Sequence, residues 1–309
     1  MIRYVLLRLV QAVPVFIGTT LLIYFMVFAM PGNPILALFG DKTPNPELVA
    51  RLEAHYHLNE PFIVQYWYYI TGIFRGDFGT SYSGQPVSEV LVRAFPITLR
   101  LALLAICFEI LFGITVGLIS GLRKGSLFDS VSLLISLVLI SLPIFVIAFM
   151  GQFFLGIKLE LFRPTVGEGA PISDLILPAL VLASINFAVV VRLTRSSVLE
   201  TKQMDFVRTA YGKGLPRNRV IPVHVLRNSL IPVVTSLGAD FGILIVGATV
   251  TEGIFNVHGV GGTLYKAIQL SQGPTVVSFV TVMVILYLVV NILIDLLYAV
   301  LDPRIRYVK

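Results

Sequence analysis

The chain has 309 residues, 56% of them hydrophobic and only 13% charged, with a formal net charge of +6 and a mean hydropathy of +0.89. Soluble domains carry roughly 25% charged residues, so a chain this poor in charge cannot cover a water-facing surface and must turn apolar surface to lipid. The excess of bases does not signal nucleic acid, because Lys and Arg gather at the ends of apolar runs, where they report membrane topology.

Six apolar runs reach the length of about 20 residues that a membrane helix needs. The first extends from about Tyr4 to Met30 and stops at Pro31-Gly32-Asn33-Pro34. Arg3 and Arg8 flank its start, but it is too long for a signal-peptide core and lacks a small-x-small cleavage site, so it is read as a retained span. The second covers Ile97 to Leu122, holds the single cysteine, Cys107, and ends at Arg123-Lys124-Gly125. The third covers about Phe128 to Leu159, with a kink expected at Pro143. The fourth, fifth and sixth cover about Leu175–Val198, Ile231–Phe255 and Val276–Leu301. Lipid cannot satisfy free backbone groups, and no alternating barrel pattern appears. The expected fold class is therefore all-α, a polytopic bundle of six transmembrane helices.

With six spans, Arg3, Arg8, Arg123, Lys124, the bases from Arg195 to Arg227, and Arg304, Arg306 and Lys309 all fall on one side. The positive-inside rule makes that side, with both termini, cytoplasmic. On the other side, residues 31–96 are too long for a simple connection and read as a small extracytoplasmic subdomain. It contains a short amphipathic helix over Pro46–Leu52, an aromatic stretch over Phe62–Phe74 suited to the membrane interface, and a turn over Gly76–Ser81. The expected division is a first helix over 1–30, the subdomain over 31–96, and a five-helix core over 97–309 with a cytoplasmic loop at 199–231.

That loop carries signals of local order. Asp205 can cap a helix by accepting from its first free amides. Lys213 suits the carbonyl end of the helix dipole, Gly214 fits the left-handed position that ends a helix, and Pro216 prevents continuation. A short helix, a sharp turn and a second helical stretch result. Set between two spans, such a helix is a lever, since whatever moves it moves both. A basic helix lying on anionic lipid heads has the same composition, and composition leaves the two readings even.

The stretch Asp205-Phe206-Val207-Arg208-Thr209-Ala210-Tyr211-Gly212-Lys213-Gly214-Leu215, followed by His224-Val225-Leu226-Arg227-Asn228-Ser229-Leu230-Ile231-Pro232, resembles the coupling loop of permeases of ATP-binding-cassette importers. The likeness is strongest to the dipeptide/oligopeptide/nickel branch, and within it to dipeptide permeases of the B type. Further matching stretches are Met30–Pro34, Gly76–Tyr82, Arg192–Ser196, Thr251–Phe255 and Asp295–Arg306, so the resemblance covers the whole chain. It implies a type I importer permease fold in a bacterial plasma (inner) membrane, with Asp205 to Leu215 docking on an ATPase. It implies a second homologous permease forming a heterodimer, two ATP-binding subunits or one fused ATPase, an extracytoplasmic binding protein and a peptide cargo, with nickel or another small solute as the alternative. ATP and Mg would sit on the ATPase subunits, with no cofactor on this chain. Two positions depart from the family pattern. Gly212 stands where alanine is expected, which weakens the helix end by about 1 kcal/mol. Pro222 interrupts the second helical stretch, which should start later or kink.

No G-x-x-x-x-G-K-[ST] is present, so no ATP site is expected here. Gly259-Val260-Gly261-Gly262 reads as an outer turn, and His55, His57, His224 and His258 form no ligand cluster. Ionisable groups within spans mark candidate functional positions. Glu109, Asp240, Thr249, Thr251 and Glu252 are the candidate lining of a translocation path, with hydrogen bonding between helices as the competing role. The competing role is favoured for Asp295 and Asn291. Gly113, Gly117 and Gly121 recur every fourth residue, a stripe that lets helices pack closely. An intramembrane enzyme would need a convergent acid, base or metal constellation, and the sequence offers isolated carboxylates. A passive channel would not need an ordered basic loop.

Overall fold

The computed structural model describes residues 2–28, 34–37, 44–80 and 85–301. In chain order the helices are α1 (Ile2–Phe28), α2 (Pro34–Ala37), α3 (Pro46–His55), α4 (Phe62–Phe74), α5 (Val87–Phe108), α6 (Thr115–Leu122), α7 (Leu127–Ser141), α8 (Ile144–Gly151), α9 (Ile172–Thr201), α10 (Asp205–Gly212), α11 (Arg217–Val220), α12 (Arg227–Ile254), α13 (Val260–Gln269) and α14 (Gly273–Leu301). Wide π-type turns join α5 to α6 over Glu109–Ile114, extend α8 over Gln152–Lys158 and join α11 to α12 over Ile221–Leu226.

Five helical stretches have the length and composition of a span, namely Leu6–Phe28, Val87–Leu122, Ile172–Thr201, Arg217–Ile245 and Gly273–Ile294, and the bent pair Leu127–Ser141 with Ile144–Lys158 makes a sixth if it is one span. At Pro143 the chain does more than kink: the two arms meet at 108°. Leu142 takes the extended conformation that a following proline imposes, with φ −92 and ψ 132. The second span begins earlier than hydropathy suggests. Its helix starts at Val87 and runs through Pro96, so the expected subdomain gives up its last ten residues to a helix. Gly259–Gly262 is no turn either, because α13 starts at Val260. The matching stretches at Met30–Asn33, Ser81–Tyr82 and Asp302–Arg306, and the side chain of Asp295, lie outside the described residues.

The chain divides into two compact units, residues 1–98 with 258–309, and residues 99–257. The sixth span therefore groups with the first, not with the core that the sequence suggested. In the first unit α1 packs on α14, and α4 is tied to both: Tyr66 Oη hydrogen-bonds Thr20, and Tyr69 Oη bonds Thr281 and the Val277 carbonyl. The ring of Tyr24 sits among Phe28, Phe62, Tyr66 and Tyr69, with centroids 4.5 to 5.8 Å away. In the second unit α9 is the hub, with α6, α7, α8 and α12 packed on it. The glycine stripe does what its spacing suggests. A Cβ at Gly113, Gly117 or Gly121 would come within 2.7, 2.6 and 2.8 Å of Val190, Thr194 and Val198 of α9.

Candidate functional site

The loop between α9 and α12 folds as a short helix, a turn and a second helix. The expected cap is corrected by one residue. Met204 is the N-cap, in extended conformation and without a side-chain bond, and Asp205 is the first helical residue. Its carboxylate complements the helix dipole from there and lies 3.8 Å from Arg208 at an exposed site, worth little to stability. The other end forms as the sequence implies. Gly214 adopts φ +79, its amide bonds the Tyr211 carbonyl at 2.9 Å, and the Leu215 amide bonds the Ala210 carbonyl at 3.2 Å. These two bonds make a Schellman motif. Leu215 then packs on a cluster of Val198, Val207, Ala210, Val220 and Val225, which fastens α10 to the end of α9 and to the π turn.

The rest of the predicted docking segment faces outward: Asp205, Phe206, Arg208, Thr209, Tyr211, Gly212, Lys213 and Gly214 are exposed, Leu215 is half-buried, and Val207 and Ala210 face inward. Phe206 and Tyr211 keep 44% and 47% of their surface open, two large rings that no described residue covers. A Cβ on Gly212 would meet no atom within 4 Å. Pro222 neither delays nor breaks the second helix. The helix runs from Arg217 into α12, and the π turn absorbs the missing amide.

One element the sequence reading overlooked holds the base of this loop. Arg195, on the penultimate turns of α9, makes a bidentate pair with Asp129 at the start of α7, with Nε to Oδ1 at 2.6 Å and Nη2 to Oδ2 at 2.8 Å. Asp129 also accepts from the Ser120 hydroxyl and from the Gly125 amide, the latter at 2.9 Å. Its own amide donates to Ser126 Oγ at 3.2 Å, capping α7. The pattern Ser126-x-x-Asp129 is a capping-box signal that would have placed this residue. The Lys202 ammonium reaches the last carbonyls of the facing helix, Gly121 and Leu122, at 3.4 and 3.3 Å.

The predicted path residues do not form one lining. Glu109 is wholly buried in the first π turn, and neither carboxyl oxygen has a hydrogen bond among the described residues. Asp240 lies within electrostatic reach of it, with Oδ2 unpaired among the described residues. At about 100° per residue, Asp240 and Thr251 share a face of α12, whereas Thr249 lies on the opposite face. Thr251 and Glu252 are fully buried and Thr249 is half-buried. Asn186 and Thr194 of α9 also carry buried atoms, Nδ2 and Oγ1, without a partner among the described residues. Among the described residues no three His, Cys, Asp or Glu side chains are grouped to hold a metal.

Comparison with known proteins matches this architecture to one family. Residues 113–307 match the profile described as "binding-protein-dependent transport system inner membrane component", and residues 1–102 match that of its N-terminal region. The chain belongs to this family and is a multi-pass inner-membrane component of a binding-protein-dependent transport system. It is 37% identical to the dipeptide transport system permease protein DppB of Escherichia coli strain K12, over 100% of both chains. It is 34% identical to the DppB of Alkalihalophilus pseudofirmus, over 99% of this chain and 100% of that one. It is 33% identical to the glutathione transport system permease protein GsiC of Salmonella choleraesuis, with the same coverage.

Proposed function

We propose that this chain is one of two similar permease subunits whose interface passes di- and oligopeptides into the cell, with α10 and both termini on the cytoplasmic side. Separate ATP-binding subunits, carrying ATP and Mg, dock on Asp205–Leu215, and an extracytoplasmic binding protein delivers the peptide. The full-length likeness to permeases named for dipeptide transport supports the cargo class. The observation that carries the coupling role is the form of α10: a helix with a fixed end at Gly214, an inner face fastened to α9, and Phe206 and Tyr211 uncovered on its outer face. A ridge of this kind fits a groove on a protein partner. Its excess of bases on the same loop agrees with the positive-inside rule.

The chain works as a lever in this reading. Closure of the ATPase pair moves α10, the cluster around Val207 carries the motion to α9 and α12, and the path between the permeases opens alternately to the two sides. Glu109, Asp240, Thr249, Thr251 and Glu252 remain its candidate polar positions, with Asp240 and Thr251 on a common face of α12.

The test is ATP-dependent uptake of a labelled dipeptide by the reconstituted complex, with and without Gly214→Pro. Proline is held at φ near −65° and cannot take the +79° of this position. Uptake should fall by roughly ten-fold or more, an effect on the order of 1.4 kcal/mol, while the complex stays assembled. Unchanged uptake would show that α10 is not the lever. ATP-dependent uptake of a metal ion, with none of the dipeptide, would remove the peptide as cargo.

A further inference from the structure

We propose that the cavity of about 260 Å³ in the first unit is a binding site for a primary ammonium group carried beside an anionic group. The cavity lies where α1 ends, at Tyr24 and Phe28, and where α14 begins, at Pro274 to Ser278. Both helices have the composition of spans, so the cavity sits at one surface of the bilayer.

Its walls supply acceptors and ring faces. Gln65 is only 8% exposed. Its Nε2 donates to the Glu60 carbonyl at 2.7 Å and to the Leu58 carbonyl at 3.4 Å, which fixes the amide with its donor side spent. Its Oε1 is buried without a partner among the described residues, a costly state for an acceptor unless something donates to it. Asp77 spends Oδ1 on the Gly79 amide, at 2.9 Å. The hydroxyl of Tyr69 is already bonded to Thr281 and Val277, so this residue offers the cavity its ring. Tyr24 and Tyr68 add two more rings, and His57 stacks on Tyr68 at 4.4 Å while held at φ +54. A buried acceptor, a carboxylate and aromatic faces together suit a cation with N–H groups to give. The guanidinium of Arg75, also on the lining, suits an anion next to that cation.

Two sources carry this pair of charges. One is a short zwitterionic peptide, and the other is the headgroup of phosphatidylethanolamine in the surrounding bilayer. The site stands whether or not peptides are the transported cargo. In either case the three N–H groups are what the cavity reads. Full methylation removes every N–H and leaves Gln65 Oε1 nothing to accept, whereas acylation leaves one N–H but removes the positive charge that Asp77 and the ring faces read.

The test uses the assembled transporter without its binding protein, in nanodiscs of phosphatidylcholine with or without phosphatidylethanolamine. Binding of labelled Ala-Phe is compared with that of its N-acetyl form. Lipid retained through detergent exchange is weighed by native mass spectrometry. We expect one source to bind roughly ten-fold better as the primary amine, and Gln65→Leu and Asp77→Asn each to remove most of that preference. Saturable Ala-Phe binding that survives added phosphatidylethanolamine identifies the peptide. Retained phosphatidylethanolamine with no Ala-Phe binding identifies the lipid. If neither source prefers the primary amine, or if the preference survives Asp77→Asn, the proposal fails. Asp77 lies on the exposed side of the cavity, so this second substitution decides the matter even if Gln65→Leu does not assemble.

Discussion

Two glycines in the second unit predict opposite outcomes for the same substitution. A methyl group on Gly117 would lie 2.6 Å from Thr194 Cβ and 2.7 Å from the Val191 carbonyl oxygen. The carbonyl is backbone of the buried hub and cannot step aside, so Gly117→Ala should destabilise the chain by about 1–3 kcal/mol, read as a lower melting temperature in detergent. Gly212 has open space around its Cα, and Gly212→Ala should stabilise α10 by about 1 kcal/mol, read as slower amide exchange over residues 205–212. Both glycines were legible in the sequence, one from its four-residue spacing and the other from its place near a helix end. Asp205 was misplaced because an aspartate caps only from the extended residue before the first helical turn. Met204 takes that conformation, with ψ 146. The difference is one residue in register, below what side-chain pattern resolves.

At the scale of elements, the six apolar runs and the order of α9, α10 and α12 could be read directly, because lipid burial and helix caps are local in sequence. The ion pair of Asp129 and Arg195 could not, since its partners lie 66 residues apart. Asp129 is 4% exposed and Arg195 20%. Removing one partner of such a pair leaves a charge with little water, at a cost of about 3 kcal/mol, the low end for buried pairs because Arg195 is partly wet. Asp129→Asn and Arg195→Met should each lower thermal stability, and the double variant should recover part of the loss. A double-mutant cycle should give a coupling above about 1 kcal/mol. The π turns escaped for another reason. Each shifts the helical phase without changing composition, so side-chain pattern does not reveal that the helix from Arg217 carries on through Pro222, where a later start or a kink is expected. Unpaired backbone at Pro222 is accommodated by the wider turn.

For the molecule as a whole, the likeness to known permeases covers the full chain, while the division into units does not follow the order of residues. Sequence order suggested a five-helix core after the subdomain, yet α14 packs with α1, a long-range pairing that no local signal announces. With Cys107 replaced by serine, cysteines placed at Lys124 and Gln203 should react with a membrane-impermeant maleimide from the same face of the bilayer. Labelling from opposite faces would contradict the structure, in which Lys202 reaches the carbonyls of Gly121 and Leu122. The Asp129–Arg195 pair carries a stronger statement of the same kind. It joins the start of the bent α7–α8 pair to the last turns of α9 at 2.6 Å. Two atoms that close together share one side of a bilayer about 30 Å thick. Between them α9 crosses once, so the segment from Asp129 to Arg195 must contain an even number of crossings. If α9 crosses the membrane once, the arms that meet at 108° must together make one further crossing, and the pair of Asp129 and Arg195 then favours a single broken span over a loop that turns back.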